Sequence, residues 1–135
     1  MGRIQQWLNR CFALINNKTK HSNGQQAETF AAQYLQRQGL KLLDQNYNTK
    51  LGEIDLIMRD GQCLVFIEVK FRARSDWAHA AETVTLSKQQ KIIRTAQLYL
   101  QNKQLSDRVY CRFDVVAIDN EINEENLNWL KNAFC

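Results

Sequence analysis

Between Gly52 and Lys70 the chain sets Glu53, Asp55, Glu68 and Lys70 in two largely apolar runs, with Asp60-Gly61 near the midpoint. An Asp-Gly pair between two apolar runs is a strong hairpin signal, because Gly tolerates the positive φ that a tight turn needs. With Arg59 and Gln62 flanking that turn, Glu53 falls opposite Glu68 and Asp55 opposite Phe66. Directly opposed residues share a face, and strand side chains alternate with a period of two. The pattern therefore puts Glu53, Asp55, Glu68 and Lys70 on one face, and Ile54, Leu56, Met58, Val65, Ile67 and Val69 on the other. Carboxylates crowded on a strand pair repel unless solvent or a cation offsets them. A divalent metal site with a neighbouring lysine is the sharpest explanation; a surface salt-bridge network on a sheet face is the plainer one.

A chain of 135 residues buries a core without disulfides or structural metals. The net charge of +4 leans toward an anionic partner, nucleic acid among them. Cys11, Cys63, Cys111 and Cys135 form no CxxC and no Cys/His cluster, which argues against zinc. Cys63 and Cys111 fall in strand-like runs and read as reduced, buried thiols of a cytoplasmic protein. Asn9 and Arg10 interrupt the apolar stretch from Ile4 to Ile15, so neither a signal peptide nor a membrane span is expected. Residues 1–20 read as a flexible or partly helical arm, ahead of a single domain over 21–135.

Helical spacing of Ala27, Phe30, Ala31, Tyr34 and Leu35 predicts a helix opening at Asn23-Gly24 and stopping at Gly39. Glu28 lies at the edge of that stripe, about 80° from its centre. A strand over Lys41–Tyr47 precedes the hairpin. Phe71–Ala81 reads as a loop carrying Arg72, Arg74, Trp77 and His79. Trp77 either stacks on a base or folds the loop down, and His79 has no partner visible in the sequence. Ser87 with Gln90 predicts a capping box ahead of a helix that buries Ile92, Ile93, Ala96, Tyr99 and Leu100 and ends near Asn102. Val109–Ile118 reads as a further strand, and Trp129-Leu130 with Ala133-Phe134 as an apolar piece packing back on the body. The order implies an α/β sandwich around a mixed sheet of four to five strands.

Asp55 followed by Glu68-Val69-Lys70 matches the D…(D/E)-x-K signature of restriction-endonuclease-like nucleases. The chemistry has a simple logic. Phosphodiester hydrolysis calls for divalent cations that neutralise the phosphate and deliver hydroxide, and hard cations take oxygen ligands. A lysine two residues beyond the second carboxylate points the same way, to orient or help deprotonate the attacking water. Beyond this motif, five segments together resemble the YraN-like family of small bacterial predicted endonucleases, related to archaeal Holliday-junction resolvases. They are Gly24–Glu28, Gly52–Ile57, Phe66–Arg72, Val84–Lys88 and Arg112–Val116. One departure is the stretch 76–81, which lacks the glycine that the family pattern carries.

The resemblance implies a restriction-endonuclease-like fold and a metal-dependent endonuclease acting on DNA, with branched and single-stranded forms among the candidates. Asp55, Glu68 and Lys70 would be catalytic; Glu28, Asp55 and Glu68 would hold Mg²⁺ or Mn²⁺. Glu53 is either an auxiliary ligand or a solvated strand-end residue. Arg72, Arg74, Lys88 and Lys91 would contact nucleic acid, the two lysines sitting near a helix start where cations are otherwise unfavourable. Asp114 is expected to pair with Arg112 or with lysines in a structural role. A resolvase would act as a homodimer. Two other readings stay open: a non-catalytic nucleic-acid-binding module, and an interaction protein whose acidic face takes a metal or a basic partner.

Overall fold

The computed structural model describes residues 23–73, 84–105 and 108–135. The expected arm over 1–20, together with Arg74, Trp77, His79 and the glycine-free stretch 76–81, lies outside the described residues. Helix α1 (Asn23–Arg37) buries Ala27, Ala31, Ala32 and Leu35, with Phe30 and Tyr34 half-buried beside them. Small side chains along that face let the helix lie close on the sheet. The helix ends where the sequence predicts. Gly39 takes φ 101°, its N–H donates to Gln36 O at 3.0 Å, and Leu40 N–H donates to Leu35 O at 3.1 Å. Those two bonds are a Schellman motif, and buried Leu40 joins Leu35 in one core cluster.

Strands β1 (Lys41–Thr49), β2 (Gly52–Asp60), β3 (Cys63–Arg72), β4 (Tyr110–Asp119) and β5 (Leu127–Phe134) form one sheet in that order. The β3–β4 pair is parallel and the other three pairs are antiparallel. A parallel neighbour needs a crossover, which helix α2 (Leu86–Asn102) supplies. Helix α1 covers one face with Leu56, Met58, Val65, Ile67 and Val116. Helix α2 covers the other through Ile92, Ala96, Tyr99 and Leu100, against Ile57, Phe66 and Val115. The result is the expected α/β sandwich on a mixed sheet, with the C-terminal apolar piece serving as its fifth strand.

Several details differ from the sequence reading. Asp60 pairs with Cys63 and Leu56 with Ile67, so the turn residues are Gly61-Gln62 and the register is two residues away from the expected one. Gly61 at φ 61° occupies the first turn position, the place that a type II′ turn reserves for glycine. Asp60 stays in the strand, where its Oδ2 accepts from Arg112 at 3.0 Å. A slip of two preserves facing, so the acidic face survives. Helix α2 is capped by Thr85, whose hydroxyl accepts from Lys88 N–H at 3.2 Å; Ser87 lies inside the helix. Cys111 is exposed and Cys63 half-buried, both at strand beginnings on the rim of the sheet, and neither is the core thiol expected.

Asp114 is fully buried and accepts from Arg112 Nε at 3.0 Å, Trp129 Nε1 at 2.9 Å and the Asn132 N–H at 2.9 Å. Its role is structural: it pins β5 onto β4 with its oxygens satisfied.

Candidate metal centre

The site begins where the β2–β3 ladder stops. Pairing runs from Asp60↔Cys63 to Leu56↔Ile67, and its continuation would set Asp55 against Glu68. Asp55 Oδ2 instead accepts from the Val69 N–H at 2.8 Å, so a side chain takes the place of a ladder carbonyl. The strand irregularity shows in the packing. Leu56 belongs to the cluster under α1, whereas Ile54 belongs to the cluster under α2, contrary to the strict alternation that places them on one face. Between them, Asp55 is wedged beside Glu68 and Glu28.

Burial, reinforced by the neighbouring Glu68 charge, pushes the Asp55 carboxyl up to about 8. It keeps its proton at neutral pH and shares hydrogen bonds with Glu68 and with Glu28. Glu28 reaches this point from the first half of α1, and its pKa is raised by burial and then by the charge of Glu53. Glu68 is only 4% exposed, and two ammonium groups meet its Oε1. Lys88 Nζ stands at 2.7 Å and Lys70 Nζ at 3.8 Å. Burial, followed by the hydrogen bond and charge of Lys88, lowers the Lys70 pKa. On Lys88 burial acts downward, but the hydrogen bond and charge of Glu68 outweigh it and the pKa is raised.

One residue enters the site in a role that the sequence reading did not give it, and a second enters without having been singled out at all. Lys88 reads in the sequence as a phosphate-contact candidate, yet its ammonium is the nearest partner of Glu68. Asn46 has φ 48° in the middle of β1, a left-handed conformation that Asn tolerates better than most residues. Its amide faces carboxylate oxygens and so presents its nitrogen to them, 3.1 Å from Glu28 Oε2 and 3.1 Å from Glu53 Oε1. That amide ties Glu53 to the cluster as a neighbour of Glu28.

A cleft of about 330 Å³ opens over this end of the sheet. Glu53, Asp55 and Glu68 line one wall, and Thr85, Lys88 and Lys91 of the α2 start line the other. Lys91 thus lines the cleft. Arg72 ends β3, is half-buried, and gives its carbonyl to the Asn120 N–H at 2.7 Å; it is not in the lining. Gly52 holds the mouth of the cleft close. It adopts φ 154°, and a Cβ there would lie 3.1 Å from the Thr95 hydroxyl, itself buried and bonded to Lys91 O at 2.7 Å. Gly52→Ala is expected to cost about 1–3 kcal/mol in thermal or urea unfolding, through backbone strain and the clash against α2.

The donor chemistry suits a hard divalent cation. Asp55 and Glu68 offer oxygen ligands side by side, and Mg²⁺ is commonly held by one or two carboxylates with waters completing its shell. The three acids stand in series, Glu28 to Asp55 to Glu68. Among the described residues, no group of three or more His, Cys, Asp and Glu converges as a ready-made ligand set. Asp55 and Glu68 therefore fit as a pair, with Glu28 next to Asp55.

A sequence profile of the uncharacterised protein family UPF0102 matches residues 27–118, a span that contains every acidic residue of the site together with Lys70, Lys88 and Lys91. The chain belongs to the UPF0102 family. It is 47% identical over 121 residues to a UPF0102 protein of Pseudomonas syringae pv. syringae, covering 89% of this chain and 98% of that one. It is similar to a UPF0102 protein of Vibrio campbellii, 49% identical over 117 residues, 86% of this chain and 94% of the relative. A UPF0102 protein of Nitrosococcus oceani is 46% identical over 116 residues, with 86% and 94% covered. The YraN-like resemblance read from the motifs is this family. Among the described residues, no helix is long and apolar enough to cross a membrane.

Proposed function

We propose that this chain is a cytoplasmic, metal-dependent endonuclease that hydrolyses phosphodiester bonds in DNA, with branched or single-stranded forms as its candidate substrates. The observation that carries this reading is Asp55. Its carboxyl replaces a ladder carbonyl at the point where Glu68 and Lys70 of the neighbouring strand arrive. Packing acids this closely costs a fold stability, and a cation-binding site accounts for the arrangement.

Asp55 and Glu68 would hold Mg²⁺ or Mn²⁺, which when bound supplies charge neutralisation at the phosphate and a water of lowered pKa. Glu28 keeps Asp55 in place through their hydrogen bond. Lys70, with its pKa lowered, is suited to orient the attacking water and take its proton, which an always-charged arginine would not do. Lys88 and Lys91 on the cleft wall, with Arg72 and Arg74 beyond Lys70 in the chain, supply positive charge for the flanking phosphates. A two-fold homodimer would let two such sites cut opposed strands.

The reading is tested by incubating labelled duplex, flap, four-way-junction and single-stranded DNA, and matching RNA, with Mg²⁺ or Mn²⁺. Cleavage by the wild type that disappears in Glu68→Gln and in EDTA is expected. A second reading has one observation in its favour: the short Lys88–Glu68 ion pair suits a non-catalytic nucleic-acid-binding module. Salt-dependent DNA binding that is the same in EDTA and in Mg²⁺, with no cleavage, would select it.

A further inference from the structure

A carboxylate as buried as Glu68 needs partners for its oxygens, and two lysines meet the same one. They are not equivalent. Lys70 sits on the same strand, two residues on, so β3 keeps it near Glu68 whatever else happens. Lys88 reaches across the cleft from the first turn of α2 and makes the shorter contact, 2.7 Å against 3.8 Å. That distance is in the range of a charge-assisted hydrogen bond. The Lys88 side chain is also 43% exposed, so its ammonium has solvent to move into. Its backbone stays fixed meanwhile, because its N–H is bonded to the Thr85 cap.

A divalent ion on Asp55 and Glu68 would bring two positive charges to the place where Lys88 already neutralises Glu68. At such separations beside the buried Glu68 carboxylate, the two cations repel. We infer that Lys88 is a built-in counter-ion of Glu68, a positioning residue that pairs with this buried carboxylate in the metal-free protein and yields it to an arriving divalent cation. Its ammonium then turns to the cleft mouth, where a substrate phosphate replaces the lost carboxylate. The exchange rests on the metal-dependent reading above; the counter-ion role does not. It also makes cation and phosphate binding cooperative, since the ion frees the lysine that the phosphate needs.

Lys88→Met keeps the apolar stem and removes the charge. In EDTA its melting temperature is expected to fall by roughly 5–10 °C, because Glu68 is left without its close partner. In calorimetric titration with Mn²⁺ the same variant is expected to bind about tenfold more tightly than wild type. At saturating Mn²⁺ the two melting temperatures should converge. Lys88→Gln, which can still hydrogen-bond Glu68, should fall between, and it serves if the Met variant does not fold without metal. Wild-type melting of both variants in EDTA would overturn the counter-ion role. Mn²⁺ affinity that is unchanged or weaker in both, while wild type binds, would overturn the exchange and leave the nuclease reading standing. Absence of Mn²⁺ binding by wild type would overturn the exchange and the nuclease reading together, and the EDTA melts would still decide the counter-ion role.

Discussion

Asp55→Asn is expected to raise the melting temperature of the metal-free protein near pH 8 by about 5–10 °C, while abolishing divalent-cation binding. The amide keeps an oxygen for the Val69 N–H and presents a donor to Glu28 and Glu68 in place of the shared proton. The sign follows from linkage. The Asp55 carboxyl is held up to about 8 in the folded chain against an ordinary value of 3.8, so the folded state keeps a proton that the unfolded state releases. The stability tied to that proton is full below about pH 4 and is lost as the pH rises to about 8. Glu28, also raised, acts in the same direction. Wild type in EDTA should therefore lose stability across this window, and Asp55→Asn should flatten the slope. Melts at unit pH steps check it, and a wild-type curve no steeper than that of the variant would contradict the assignment of the proton to Asp55.

Lys70→Met should separate chemistry from binding. The lysine is not an oxygen ligand, and it stands 3.8 Å from Glu68 while Lys88 holds the closer position. Losing it removes a positive charge beside the ion and a group placed to take a proton from water. Cleavage is expected to fall by at least about 100-fold, with Mn²⁺ affinity unchanged or slightly improved. Single-turnover cleavage and calorimetry on the same preparation measure both. Parallel loss of affinity and rate would make Lys70 a structural support of the metal pair.

The site was legible in the sequence to the extent that strand periodicity controls it. A two-residue error in the register left Glu53, Asp55, Glu68 and Lys70 grouped, because facing depends only on parity. The stop at Gly39 was readable since a Schellman turn has a fixed backbone demand. The position of Ile54 was not. Alternation assumes that ladder partners are backbone groups, and Asp55 replaces one with its side chain. The Lys88–Glu68 pair joins residues twenty apart through the packing of α2 on the sheet, for which no local spacing exists. The left-handed Asn46 is likewise set by the β1 neighbourhood of Glu28 and Glu53, although Asn in a strand is a weak hint of it. The cap moved from Ser87 to Thr85, two hydroxyl residues that sequence alone separates poorly.

If a divalent cation binds at Asp55 and Glu68 as proposed, it must displace the proton that the raised pKa leaves on Asp55. Mn²⁺ titration calorimetry at pH 7, repeated in buffers of different ionisation enthalpy, counts the protons released per ion bound. One ion per chain, release of about one proton, affinity that climbs with pH up to about 8, and no binding by Asp55→Asn are expected. Binding that releases no proton, or that survives in Asp55→Asn, would contradict the proposed site.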